Sequence, residues 1–315
     1  MSIDPRPALA ATLLLSASLL GSGAARAADL DLPGGCATAG SASLDEAGPN
    51  GGFEAGRLEV VIPGASTTPP PALHAASLRV TSQRAAAGVS TAQLEQAATA
   101  AAATLLTALS VHHTGACPDH VLQEAMRPLA HGVQAGGAYE FTWSDVSVRA
   151  GSTRFGAHRL ALRVGGDGRT AQLVGSLEGA ASNDRAAALL PESLEVRVAL
   201  PASELPPLLS AAGGHGAPVD VAIEQVRARR GDSTLEGHGQ ASIAGEPGAG
   251  SGQGQVTITG LDALMEAANA PGLERLRTGL FLARLVAHRD GDRSEWDLAW
   301  RQGTLLVNNV PLPLR

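Results

Sequence analysis

Apolar and polar residues alternate with a period of two along much of the chain after residue 138. Segments 139–143 (YEFTW), 160–164 (LALRV) and 194–200 (LEVRVAL) each place apolar side chains at every second position. Successive side chains of a strand point to opposite faces of a sheet, so these segments predict strands with one apolar face. Segments 219–230 and 233–245 predict a hairpin, because a Gly-Asp turn separates them.

A helical period replaces this alternation in residues 91–111, where Leu or Ala recurs every three or four positions. Ser90 and Gln93 have the spacing of a capping box at the start of this helix. A second helix is predicted to begin at Pro118, which suits a first helical turn. Pro128 is expected to limit that helix, because a proline ring interrupts a helix interior.

An internal similarity relates segment 194–213 to segment 254–272, at an offset of 60 residues. Val196 corresponds to Val256, and in both copies a strand leads directly into a short apolar helix. Such a unit cannot bury its helix alone, so the similarity predicts that the two units stack against neighbours.

These patterns together predict an α+β protein. We expect a curved, mostly antiparallel sheet with short apolar helices packed on it and a two-helix segment near residues 91–130. Predicted strands at 57–64 and 77–83 belong with those helices to an N-terminal segment, 28–136. The remaining residues, 137–315, form a β-rich segment.

The first 27 residues have the features of an export signal. The uncharged run from Ala8 to Leu20 has the length of a signal-peptide core and is too short to cross a bilayer. Residues 25–27 (ARA) fit the cleavage rule, so we expect a periplasmic mature chain without a transmembrane span. Arg6 is the one cation of the n-region, and this leaves a second interpretation, a retained inner-membrane anchor.

The charged residues exclude several classes of protein. All 23 basic residues are arginine, which excludes enzymes that need a P-loop lysine or a Schiff-base lysine. The formal net charge is −7 and no basic run occurs, so we do not expect nucleic-acid binding.

The segment HHTGACPDH combines side chains that can bind a metal or form a disulfide. Two cysteines of an exported chain usually pair, so Cys36 and Cys117 are predicted to form a disulfide. One alternative is a free or interchain thiol at Cys117. The other is a metal site, whose ligands would be His112, His113, Cys117 and His120. No CxxC pair occurs, and we expect no cofactor.

Two C-terminal segments resemble a known family. ITGLDALMEAA (258–268), followed by WDLAWRQGTLLVNNVPLPL (296–314), is similar to the C-terminal pattern of the DUF2125 group of bacterial envelope proteins. That group shares features with the wider AsmA-like and YdgA-like envelope proteins, and the likeness covers roughly 190–315. The resemblance implies a long curved sheet whose apolar face can hold lipid tails, and it implies no catalytic residues.

The predicted apolar face favours a protein that binds a lipid or another apolar ligand in a groove on the sheet. Candidate ligand-binding residues are Val196, Val198, Leu200, Val256, Ile258, Trp296, Leu298 and Trp300. A second hypothesis is a structural module of an envelope complex, which would bind a protein partner through the sheet edge near residues 305–314. Pro311 and Pro313 could instead block that edge.

An enzyme is the third hypothesis and the least supported. The motifs GxSxG, HExxH, GxGxxG and CxxC do not occur in the sequence. Asp290 and Asp292 lie in a turn signature, where aspartate is common for local reasons. Glu140 and Asp145, near Trp143, could suggest a glycosidase site, but isolated acids beside aromatic residues on strands are more often solvated. We therefore expect a non-enzymatic protein.

Overall fold

The computed structural model of the protein describes residues 28–32, 35–46, 51–63, 69–84, 88–109, 117–183, 187, 189–212, 217–244, 250–270, 272–301 and 304–312. Five α-helices lie in these residues: α1 (Thr91–Leu109), α2 (Asp119–Gln134), α3 (Leu205–Ala212), α4 (Leu261–Ala267) and α5 (Glu274–Val286). A 3₁₀ turn, Ala202–Glu204, leads into α3.

The strands are β1 (Ala28–Asp29), β2 (Thr38–Ser41), β3 (Ser43–Glu46), β4 (Gly52–Val61), β5 (Ala72–Arg84), β6 (Ala138–Ala150), β7 (Thr153–Gly166), β8 (Thr170–Glu178), β9 (Ala181–Ser182), β10 (Ser193–Pro201), β11 (Val219–Arg230), β12 (Ser233–Ile243), β13 (Ser251–Thr259), β14 (His288–Asp290), β15 (Arg293–Arg301), β16 (Thr304–Val307) and β17 (Val310–Leu312).

These strands form one open sheet, in which every recorded pair is antiparallel. The pairing runs β1–β2–β4–β5–β6–β7–β8–β10–β11–β12–β13–β15–β16–β17. Strands β3, β9 and β14 pair beside β4, β7 and β15. The α+β class and the mostly antiparallel sheet predicted from the sequence are confirmed. The sheet is continuous across the predicted boundary at residue 136, because β5 pairs with β6.

One face of this sheet is apolar from β4 to β16, and we call it the apolar face. A single cross-strand row shows it, since each member is the registered partner of the next: Phe53, Val80, Phe141, Leu162, Gly175, Val196, Val226, Gly237, Val256 and Trp296. Side chains of all five helices pack on this face. Those of α1, α2 and α3 belong to one apolar cluster, and those of α4 and α5 belong to a second, smaller one.

The alternation slips by one residue at one level of four neighbouring strands. The slips fall at Arg57 in β4, Ala76 in β5, Asp145 in β6 and His158 in β7, where the regular pairing is interrupted. Arg57 and Asp145 adopt positive φ values of 51° and 47°, the left-handed conformation. Because all four strands slip together, their apolar residues stay on one face on both sides of the irregularity.

Helix α1 begins as its sequence predicts. The Gln93 backbone N–H donates to Ser90 Oγ at 3.3 Å, and the Ser90 N–H donates to Gln93 Oε1 at 2.8 Å. This reciprocal pair satisfies two amides that a helix start leaves unpaired, so the capping box is confirmed. The buried side of α1 is mostly alanine, which lets the helix approach β4, β5 and β6 closely.

Helix α2 corrects the prediction for Pro128. The helix does not end near this proline but continues to Gln134. The loss of one backbone hydrogen bond at Pro128 is offset by packing, because Leu129, Ala130 and Val133 are buried in the next turn.

The predicted pairing of the two cysteines is confirmed. Cys36 and Cys117 form a disulfide with their Cα atoms 5.1 Å apart, and Cys117 is buried. The bond joins the turn between β1 and β2 to the start of α2. It therefore links the β2 edge region of the sheet to the helices that cover it.

The two segments of the internal similarity form β10 with α3 and β13 with α4. Three antiparallel pairings separate β10 from β13, so the two strands run in opposite directions. Their helices consequently lie at opposite ends of the strands, α3 near the end of β12 and α4 near its start. The two units share a strand-to-helix step but do not stack as repeats.

Candidate ligand-binding groove

The burial of the apolar face changes along the cross-strand row. Phe53, Val80 and Phe141 are fully buried at one end, and Trp296 is 4% exposed at the other. The six positions between them, from Leu162 to Val256, are only half-buried. The middle of the apolar face is therefore more exposed than its two ends.

Two separate apolar clusters explain this difference. The larger one extends from the N-terminal strands through α1, α2 and α3 to Val221, at the start of β11. The smaller one contains Leu261, Trp296 and Val307, with side chains of α5 packed on it. Trp296 Nε1–H donates to the carbonyl oxygen of Ala283 at 2.8 Å, which fixes α5 over β15.

Between the two clusters, four glycines leave a small area of the apolar face without side chains. Gly239 and Gly254 are cross-strand partners on β12 and β13, with Gly237 and Gly252 two residues away on the same face. A cavity of about 270 Å³ lies over them. Its apolar side chains are those of Ile223, Val226, Leu235, Ala241, Val256, Leu298, Trp300 and Leu305. We call this cavity and the half-buried strip from β8 to β13 beside it the groove.

Close contact between two backbones requires two of these glycines. A Cβ atom on Gly239 would lie 2.4 Å from the Gln253 carbonyl oxygen, and one on Gly254 would lie 2.4 Å from the His238 carbonyl oxygen. Glycine is thus needed for the pairing of β12 with β13. The hollow on the apolar face is a consequence of the same absent side chains.

A bulge in β11 supplies one wall of the groove. The register shifts between Ile223 and Val226, against both β10 and β12. The irregularity places these two residues on the same face although they are three positions apart. Without it, strict alternation would turn Val226 to the opposite face.

The eight predicted ligand-binding residues all lie on the apolar face, but they are not equivalent. Leu200 and Trp296 are buried inside the larger and the smaller cluster. Val256, Leu298 and Trp300 line the cavity itself. The other three, Val196, Val198 and Ile258, are half-buried on neighbouring parts of the face.

Sequence reasoning missed several lining residues. Ile223 and Val226 were missed because their spacing breaks the alternation. The four glycines were missed because a glycine in a strand pattern does not reveal what its missing side chain exposes. Two features of the sequence could have indicated these residues. A single glycine in a strand suggests close approach of a neighbouring backbone, and a slip in the alternation suggests a bulge.

The opposite face of the same strands is polar. Arg227 forms an ion pair with Glu236 at 2.8 Å, and Gln255 Nε2 donates to Glu295 Oε1 at 2.7 Å. Because side chains alternate between faces, the groove contains none of these charged groups. An apolar molecule over the four glycines would meet mainly aliphatic and aromatic side chains.

The predicted carboxylate candidates do not converge. Glu140 accepts a hydrogen bond from Arg163 Nη2 at 3.0 Å and lies on the polar face, while Trp143 lies on the apolar face. Asp145 is exposed beside His158, at 3.7 Å. Asp290 and Asp292 flank the β14–β15 turn at Gly291.

Two carboxyl groups outside the groove have shifted pKa values. Burial raises the pKa of Glu95 on α1. Backbone N–H groups of Thr170 and Arg169 donate to Asp167 Oδ1 and hold the pKa of that carboxyl below its usual range. Neither group lines the groove, so neither supplies acid–base chemistry there.

Metal binding has no support among the residues that the structure describes, where no three His, Cys, Asp or Glu side chains form a suitable group. Cys117 is part of the disulfide, and His112 and His113 lie outside the described residues. In the same part of the chain, no helix combines the length and the apolarity needed to cross a bilayer.

Comparison with family models, with curated proteins and with solved structures finds no match to this chain.

Proposed function

We propose that this chain is a non-enzymatic, exported envelope protein that binds the acyl chain of a lipid, or a similar apolar ligand, in the groove. One observation carries the proposal: the apolar face is half-buried from Leu162 to Val256, whereas both of its ends are covered by helices. The resemblance to AsmA-like envelope proteins agrees with this role.

The energetic argument is the removal of apolar surface from water. Each methylene group that enters an apolar site gains about 0.8 kcal/mol. The affinity for fatty acids should therefore rise about fourfold with each added methylene until the groove is filled. The polar face of the same strands offers no comparable gain, because its side chains already pair with one another.

The removal of residues 1–27 and a periplasmic location are part of this proposal. The disulfide supports it, because disulfides persist in oxidising compartments such as the periplasm.

A matched pair of variants on β13 tests the groove. Val256 lines the cavity, and its neighbour Thr257 points to the opposite face. Val256→Trp should fill the cavity and weaken binding of a fluorescent long-chain fatty acid at least about tenfold. Thr257→Trp introduces the same side chain on the polar face and should leave binding unchanged, with thermal unfolding checking that both variants fold.

The proposal fails if the wild-type chain does not bind the fatty acid, or if both variants bind it equally well. In the first case the second hypothesis, an interaction module without a small ligand, becomes the better one. The strand available to such a partner is β17, which pairs only with β16 among the described strands and contains Pro311.

A further inference from the structure

Helix α5 presents an apolar surface to solvent that packing does not explain. Phe281, Leu282 and Leu285 are 51%, 47% and 66% exposed. Their spacing places them together on the outer side of the helix. The inner side, formed by Leu280, Ala283 and Val286, packs on the smaller cluster. The helix is therefore apolar on both sides, although only one side meets the protein.

This surface is unusual within the molecule. Among the described residues, Val310 is the one other exposed large hydrophobic side chain, at 44%. Val310 is the registered partner of Val307, which is buried in the cluster beneath α5, so Val310 lies on the same face of the sheet. Exposed apolar side chains are thus concentrated at one end of the molecule, and such concentration marks an interaction surface.

The charge of this segment differs in sign from that of the whole chain. Residues 274–289 contain four arginines and one acidic residue, Glu274, in a chain whose formal charge is −7. Arg284 is paired with Asp262 of α4, and Asp290 follows the segment, so the cations that matter here are those at the start of the helix and just after its end. Arg277 is exposed one turn before Phe281, and Arg289 is exposed just after the helix ends. A helix whose outer side carries large apolar side chains, with arginines at its flanks, fits the interface of an anionic bilayer.

We propose that α5 docks the protein on the surface of a bilayer containing anionic lipids. Phe281, Leu282 and Leu285 would enter the boundary between headgroups and acyl chains, and Arg277 and Arg289 would contact lipid phosphates. A protein partner would be recognised by the same apolar side chains, but the reversed charge favours an anionic surface.

The position of α5 connects this surface to the groove, and this part of the inference rests on the proposed function. Leu298 and Leu305 line the cavity and also pack against the cluster that α5 covers. A bilayer docked on α5 would therefore lie beside one end of the groove. The lipid that fills the groove would come from, or return to, that bilayer.

Vesicle flotation of the full chain tests the docking. Vesicles of phosphatidylcholine with phosphatidylglycerol should bind the wild-type chain, and vesicles of phosphatidylcholine alone should bind it more weakly. Phe281→Ser/Leu285→Ser should reduce binding at least about a hundredfold, because two large side chains leave the bilayer. The two residues are exposed, so the variant should unfold at the wild-type temperature.

A matched pair of arginine variants tests the charge. Arg277→Gln should lower vesicle binding about fivefold, the effect of one cation at an anionic surface. Arg169→Gln removes the same charge from the exposed turn between β7 and β8 and should have no effect. Equal effects of the two variants would show that only net charge matters, and this would overturn the assignment to α5.

Two further outcomes would overturn the docking proposal. One is unchanged vesicle binding by Phe281→Ser/Leu285→Ser. The other is a wild-type dimer that this variant converts to a monomer, since the surface would then join two copies of the chain. The groove is judged separately: this variant should still bind the soluble fatty acid, and Val256→Trp should still bind vesicles.

Discussion

Two glycines in helices, Gly132 and Gly279, differ in the space that an added side chain would find. At Gly132 on α2, a Cβ atom would lie 2.4 Å from Tyr139 Oη and 2.8 Å from Val89 Cγ2. Tyr139 is 1% exposed, so it cannot move aside into solvent. At Gly279 on α5, nothing lies within 4 Å of the same position. Two helical glycines thus have opposite expected responses to one added methyl group.

Gly132→Ala should lower the free energy of unfolding by about 1–3 kcal/mol, because the new methyl group overpacks the core. Gly279→Ala should raise it by about 0.5–1 kcal/mol, because alanine favours a helix more than glycine does. Urea unfolding of both variants measures the difference. A stabilising effect at Gly132 would contradict its close contact with Tyr139 and Val89.

Asp167 is expected to make stability depend on pH. Its folded pKa lies below that of the unfolded chain, so the ionised form is favoured in the fold. This contribution is complete above the unfolded pKa and disappears as the pH falls through the folded pKa. Asp167→Asn should therefore be less stable than the wild type at neutral pH and match it in strong acid. Urea unfolding across this range tests the sign, and an NMR titration gives the carboxyl midpoint directly.

At the scale of elements, the placement of α5 depends on the turn between β16 and β17. Asn308 and Asn309 adopt φ values of 49° and 64°, which a two-residue hairpin turn of this kind requires. Asn308 does more than turn the chain. Its Oδ1 accepts the Asp297 N–H at 2.7 Å, and its Nδ2 donates to the carbonyl oxygen of Val286 at the end of α5.

Asn308→Gly should destabilise the smaller cluster by about 1–3 kcal/mol, since it removes both hydrogen bonds but permits the turn. Asn309→Gly is the matched control, with a change within about 0.5 kcal/mol. Tryptophan fluorescence during urea unfolding reports on Trp296, which lies beneath α5, when Trp143 and Trp300 are replaced by phenylalanine in all variants compared. Equal effects would show that the turn conformation alone matters.

At the scale of the whole molecule, two apolar clusters share one sheet but only one contains a disulfide. Cys36 and Cys117 are separated by 81 positions in the sequence, so their bond constrains a long loop of the unfolded chain. The bond belongs to the larger cluster, and the groove lies outside the loop that it closes. Stability and ligand binding should therefore respond differently to its loss.

Cys36→Ala/Cys117→Ala should lower the free energy of unfolding by about 4–5 kcal/mol in the chain-entropy model. Fatty-acid binding by the fraction that remains folded should be unchanged. Denaturation of the variant and of the oxidised and reduced wild-type chain tests this. Equal stability of the oxidised and reduced chains would contradict the expectation.

The sequence by itself determined the local structure of this protein. Alternation places an apolar side chain at every second strand position, and the Ser90–Gln93 pair marks a helix start through bonds only three residues apart. It also predicted the disulfide as the usual outcome for two cysteines of an exported chain, while a free thiol and a metal site at Cys117 stayed open. Local rules suffice for the strands and the helix start, since the interacting groups are close in the chain.

Tertiary structure alone decided which part of the apolar face stays open. Val196 and Leu200 occupy equivalent positions in the alternation of β10, yet Val196 lies in the open middle and Leu200 is buried. A period of two identifies the face on which a side chain lies but not whether a helix covers it. Helix α2 continues past Pro128 because packing beyond the proline offsets its local cost. The bulge at Ile223 and Val226 and the paired glycines of β12 and β13 acquire their meaning only when distant strands meet.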